Sequence, residues 1–154
     1  MLIDFGRSDA GRLAKAGSGE LPEQMTVEHD SHVTYMVSNV AATVSDDVHA
    51  IYALRATLPA GTLNGAPKRR AIEIIDEIEP VKRGIYGDAV GYVSWTGDMD
   101  TAIAITTVVA LDPQIVVQAG AGIVSDSTLS VGWEETLNKA RAMLRAIAMC
   151  AESY

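Results

Sequence analysis

The stretch Gln118-Ala-Gly-Ala-Gly-Ile-Val-Ser-Asp126, followed by Glu134-Glu-Thr-Leu-Asn-Lys-Ala-Arg141, decides the reading of this chain. An apolar, β-branched run ends in a glycine-rich bend. A few residues later a helical pattern presents Glu134, Glu135 and Lys139. Glycines let a ligand come close to the backbone, because no Cβ intervenes. A carboxylate on the following helix suits a hard divalent cation such as Mg2+. Together they suggest a site for a small anionic ligand held with a metal.

Upstream of the bend, residues 89–95, 101–110 and 114–119 read as three strands. Thr96-Gly97-Asp98 and Asp112-Pro113 mark the turns between them. Connections this short make an antiparallel meander. Downstream, Trp133, Leu137, Ala140, Leu144, Ile147 and Ala151 recur at helical spacing, so the last helix is expected to start near Gly132. Nearer the start, residues 13–25 contain Lys15-Ala-Gly-Ser-Gly19 and Pro22 and read as loop. Residues 32–44 are rich in Val and Thr and read as extended. Ser45 is a candidate helix cap, and Val48, Ile51, Leu54 and Leu58 form an apolar stripe that Pro59 stops. Pro67 suits the first position of a second helix, with Ala71, Ile72, Ile75 and Ile78 as its buried stripe and Pro80 as its end. The order of extended segment, two helices, three strands and a helix predicts an α+β fold, with helices packed on a mostly antiparallel sheet.

The 154 residues are enough for one domain with a real core, and 48% of them are hydrophobic, which argues against a disordered chain. A net charge of -8 argues against non-specific nucleic-acid binding. The single cysteine, Cys150, rules out an internal disulfide framework and offers no metal-cluster spacing. A reducing cytoplasm is the expected setting. No signal-peptide pattern is evident, and no apolar run approaches the ~20 residues of a membrane span.

Several further motifs carry a resemblance. They are Met1-Leu-Ile-Asp-Phe-Gly-Arg-Ser-Asp-Ala-Gly-Arg12, Val27-Glu-His-Asp-Ser-His-Val33, Val37-Ser-Asn-Val40 and Pro59-Ala-Gly-Thr-Leu-Asn-Gly-Ala-Pro-Lys68. Gly84-Ile-Tyr-Gly87, Ala89-Val-Gly-Tyr92 and Met99-Asp-Thr-Ala-Ile-Ala-Ile105 follow. In this order, and together with the glycine bend and its helix, they resemble the chorismate-binding enzymes. The resemblance implies a partial version of that family's α/β sandwich. Residues 1–154 would be the C-terminal portion of a chorismate-binding domain whose N-terminal half is absent. Exposed sheet edges and apolar faces are then expected.

The resemblance also implies chemistry. Glu135 would coordinate Mg2+, and Lys139 would lie near the substrate carboxylates. Backbone N–H groups at Gly120 and Gly122 would meet a carboxylate. Thr62 and Asn64 would lie near the substrate ring, and Tyr86 would hydrogen-bond substrate. His32 would be catalytic, near the ring position where a hydroxyl leaves. The reaction implied adds ammonia to chorismate, expels the ring hydroxyl and eliminates pyruvate. A glutamine amidotransferase subunit would supply the ammonia, and the missing N-terminal half would be a further partner. The wording of residues 60–68 is nearer to the anthranilate-forming branch than to the aminodeoxychorismate branch. An aminodeoxychorismate or isochorismate/salicylate relative, and a degenerate non-catalytic domain, are the other readings.

Residue chemistry alone supplies competing explanations. Glu135 and Lys139 could be a solvated i,i+4 ion pair worth ~0.3–0.5 kcal/mol. Gly120 and Gly122 could begin a dinucleotide loop, but Ser125 stands where that fingerprint requires a third glycine. Lys68, Arg69 and Arg70 crowd the positive end of a helix dipole, which an anion bound there would offset. Three positions depart from the family pattern. Thr106 stands where an arginine is expected, Gly132 where an acidic residue is usual, and Asp88 replaces a glycine beside Tyr86. Threonine cannot grip a carboxylate bidentately, and losing such a contact costs ~2–4 kcal/mol of binding.

Overall fold

The computed structural model describes residues 1–29 and 34–152. The chain divides into two units. One comprises Met1–Lys82 with Gly91–Thr101, and the other Arg83–Val90 with Ala102–Tyr154.

The first unit opens with α1 (Leu2–Gly11), then β1 (Glu20–His29) and β2 (Thr34–Ala41). β1 and β2 pair antiparallel, from Glu20 opposite Ala41 to His29 opposite Thr34. Gly6 lets α1 approach β2 closely, since a Cβ there would stand 3.2 Å from Val40 Cγ2. Helices α2 (Ala50–Thr57), α3 (Gly61–Asn64) and α4 (Lys68–Ile78) follow. Prolines set their ends. Leu58 is extended before Pro59, and Glu79 before Pro80, because the residue preceding a proline avoids the helical region. Pro67 is the N-cap of α4.

Strands β3 (Ala89–Val93) and β4 (Met99–Ile103) pair as a hairpin. In the second unit, β5 (Val108–Leu111) and β6 (Gln114–Val117) pair antiparallel, and α5 spans Leu129–Glu152. The α+β class with antiparallel strands is as expected. Among the described residues the strands form three separate two-stranded sheets.

Other expectations need correction. The segment read as loop over 13–25 contains the first half of β1. Pro22 disguised it. A proline cannot donate to the ladder, and it falls where the register shifts between Glu20 and Glu23. A second shift accommodates Met25, whose φ is 54 and whose N–H donates to Ser38 Oγ at 2.9 Å. The expected strand over 101–110 is broken. Thr106 has a φ of 47, a left-handed conformation unfavourable for a β-branched residue. Just before the break, Ala104 leaves the ladder and bonds to the Tyr86 loop instead. Gly87 N–H donates to Ala104 O at 2.9 Å, and Ala104 N–H donates to Asp88 O at 2.8 Å. Ser45 does not cap α2, whose N-cap is His49, and α5 starts ahead of Gly132.

The helical stripes are real in period but largely uncovered. Ala104 and Met143 are the buried hydrophobic residues among those described. Ala71 and Ile75 are half-buried, whereas Ile72 and Ile78 are exposed. Ile51, Trp133 and Leu144 are exposed as well. Periodicity marks which side of a helix is apolar. It does not supply the surface that would cover it.

Candidate active site

In the second unit the chain leaves β6 and turns through the glycine bend. The turn closes where Val124 N–H donates to Ser127 Oγ at 2.8 Å and Ser127 N–H donates to Val124 O at 2.9 Å. Helix α5 then runs back past the bend. From it, Lys139 Nζ donates to Gly120 O at 3.0 Å and pairs with Glu135 Oε1 at 2.7 Å. The Tyr86 hydroxyl lies 3.3 Å from where a Cβ on Gly120 would stand. A Cβ on Gly120 would therefore crowd the Tyr86 hydroxyl by a few tenths of an ångström. Gly122 has open space around it.

The Tyr86 loop is tied down twice. Its backbone bonds to Ala104 as described, and the Arg83 guanidinium lies over the Tyr86 ring at 5.5 Å, within cation–π range. The structure therefore brings together Tyr86, Gly120, Lys139 and Glu135. An ammonium carries three N–H donors, and the Glu135 and Gly120 bonds use two. A positive group and a phenol beside one glycine suit a carboxylate-bearing ligand, and Glu135 already occupies one donor of that ammonium.

Thr62 and Asn64 belong to the first unit, on α3. Thr62 is exposed and Asn64 is half-buried. Helix α3 is held by a contact that sequence reasoning missed. Asp9 on α1 accepts from Gly61 N–H at 2.8 Å through Oδ2 and from Lys68 Nζ at 2.7 Å through Oδ1. Asp9 belongs to the Met1–Arg12 motif, three residues after Gly6 and on the same face of α1. Its partners were not visible from that spacing.

The cations at the start of α4 need no external anion. Lys68 pairs with Asp9, Arg69 with Glu73, and Arg70 with both Glu73 and Glu77. The chain's own carboxylates offset the unfavourable dipole interaction. His32, the expected catalytic residue, lies outside the described residues.

The donor set does not fit a Mg2+ ion by itself. Among the described residues no three His, Cys, Asp or Glu side chains converge as a metal site. Glu135 offers one carboxylate, and Lys139 already holds one of its oxygens. Of the three departures, Thr106 is exposed on its strained backbone, and Asp88 is exposed beside the Tyr86 loop. Gly132 is internal to α5, where its carbonyl accepts from Thr136 Oγ1 at 3.0 Å.

The family model for chorismate binding enzymes matches residues 1–145. The chain is 58% identical over 153 residues to anthranilate synthase component 1 of Pseudomonas putida, covering 99% of this chain and 31% of that protein. It is 51% identical to the protein of the same name from Aquifex aeolicus, with the same coverage. Among solved structures, anthranilate synthase component I from Streptococcus pneumoniae superposes with a TM-score of 0.79 at 45% identity, over 93% of this chain and 33% of that one. An isochorismate synthase structure from Bacillus anthracis gives a TM-score of 0.78 at 21% identity, over 96% of this chain and 39% of that one, which speaks to the fold. The chain thus spans about a third of the length of the relatives it matches.

Proposed function

The chain belongs to the chorismate binding enzyme family, and from that premise we propose that it forms part of an anthranilate synthase component I. Chorismate and ammonia would be converted to anthranilate and pyruvate, a lyase step of tryptophan biosynthesis. Ammonia adds to the ring, the ring hydroxyl departs as water, and the enolpyruvyl group leaves as pyruvate. The ammonia would come from glutamine through an amidotransferase subunit, in the cytoplasm. Among the described residues no helix is long and apolar enough to cross a membrane.

The observation that carries this reading is the junction of Lys139, Gly120 and Tyr86, with Glu135 beside it. Lys139 orients the bend through the Gly120 carbonyl and contributes positive charge toward a substrate carboxylate. Bend amides at Gly120 and Gly122 donate to that carboxylate. The Tyr86 hydroxyl hydrogen-bonds substrate, Thr62 and Asn64 flank the ring, and His32 acts where the hydroxyl leaves. Glu135 keeps its expected role as a Mg2+ ligand only if further carboxylates come from outside these residues, since one carboxylate holds Mg2+ weakly.

A second reading, a domain without catalysis, has its own support. Thr106 stands where the family pattern has arginine, and its backbone is strained there. Asp88 adds negative charge beside Tyr86. The test follows anthranilate by fluorescence, with chorismate, Mg2+ and ammonia. The chain alone is expected to make none. Combined with a polypeptide supplying the rest of the family fold, and with Thr106→Arg, it is expected to produce anthranilate. Silence of that combination would favour the non-catalytic reading, and product from the chain alone would overturn the expectation that it cannot act by itself.

A further inference from the structure

We propose that Asp9 and Lys68 are a positioning pair that fixes α3, and with it Thr62 and Asn64, for substrate. The functional half of this statement rests on the reading above. The structural half does not.

A helix of one turn has no stability of its own, because nucleation costs more than so few bonds return. The N-cap of α3 is Ala60, which has no side-chain acceptor for the orphan N–H groups of the first turn. Asp9 supplies that acceptor from a different helix. Its Oδ2 takes the Gly61 N–H at 2.8 Å, as a capping aspartate would take one from its own helix. The small residue at 61 lets Asp9 and Phe5 come close. A Cβ at Gly61 would stand 3.2 Å from Asp9 Oδ2 and 3.3 Å from Phe5 Cβ.

Lys68 completes the clamp. It pairs with Asp9 Oδ1 at 2.7 Å and donates to Thr57 O at 3.3 Å, a carbonyl at the end of α2. One ion pair therefore links α1, α2, α3 and α4. Its side chains are only 17% and 14% exposed, unlike the other ion pairs described, each of which has a side chain at least 49% exposed. Screening by water is correspondingly weaker. With Gly61 turned inward onto Asp9, Thr62 faces solvent on the one-turn helix. Whatever meets Thr62 meets a backbone held by Asp9.

The experiment is amide hydrogen exchange on the whole chain, for wild type, Asp9→Ala, Asp9→Asn and Lys68→Met. Asp9→Ala is expected to speed exchange over residues 61–65 by about tenfold, the loss of a capping acceptor. Asp9→Asn retains an acceptor of the same shape and is expected to restore part of the protection. The β1–β2 hairpin is expected to exchange at the wild-type rate in all variants. Unchanged exchange at 61–65, or an equal rise throughout the unit, overturns the positioning role. Should Asp9→Ala fail to fold, Lys68→Met decides: faster exchange at 61–65 with β1–β2 unchanged supports the pair, and unchanged exchange at 61–65 overturns it.

A second arm titrates chorismate into the combination that makes anthranilate. Asp9→Asn is expected to raise KM several-fold with kcat changed less. An unchanged KM, with exchange altered, overturns the link from α3 to substrate. If no combination makes anthranilate, the functional reading fails, and the exchange arm still decides whether the pair holds α3.

Discussion

Replacing Lys139 by Met separates an orienting role from an incidental surface ion pair. Lys139 makes two bonds, one to Glu135 at i-4 and one to the Gly120 carbonyl. Met and Lys have similar helix propensities, so α5 itself is little affected. An i,i-4 ion pair on a helix is worth ~0.3–0.5 kcal/mol. Here the side chains of Lys139 and Glu135 are 39% and 49% exposed, which places the pair at the low end, about 0.3 kcal/mol. A hydrogen bond from a charged donor is worth ~1.5–3 kcal/mol when shielded, and partial exposure reduces this one to about 1 kcal/mol. Lys139→Met is therefore expected to cost about 1.3 kcal/mol, and Glu135→Gln about 0.3 kcal/mol. The assay is urea unfolding by far-UV circular dichroism, paired with amide exchange across residues 118–124. Lys139→Met is expected to loosen the bend, and Glu135→Gln to leave it protected. Equal costs for the two variants, or a bend unmoved by Lys139→Met, would refute the orienting role.

Three more outcomes are expected. Gly91→Ala should break the β3–β4 pairing, because the new Cβ would overlap the Asp100 carbonyl oxygen and stand 2.7 Å from Thr101 Cα. Overpacking against backbone costs about 3 kcal/mol or more, and a loss under about 1 kcal/mol in a urea midpoint would count against the hairpin geometry. Thr106→Asn should raise stability by about 1 kcal/mol, since Asn accepts a left-handed φ that a β-branched residue resists. A lowered melting temperature would contradict that. The isolated chain should self-associate in light scattering, because apolar side chains such as Met36, Ile78, Trp133 and Leu144 are exposed. A clean, thermally stable monomer would show that these faces are tolerated in water.

Much of this protein is legible in its residues. The motif order identifies the family, and prolines 59 and 80 place helix ends through local sterics that any chain would feel. The glycine bend and the Glu135/Lys139 helix are also local, and they mark a candidate site before any contact is known. What the tertiary structure decided is of another kind. That Gly120 lies against the Tyr86 hydroxyl, that Ala104 abandons its strand for the Tyr86 loop, and that Asp9 caps a helix 52 residues away all depend on partners remote in sequence. The same holds for β1, whose Pro22 reads as loop until β2 lies beside it, and for the apolar stripes, whose period is written in sequence but whose cover is not. Propensity and capping act over a few residues and can be read along the chain. Pairing and burial need a second surface, and only the fold shows where one is present.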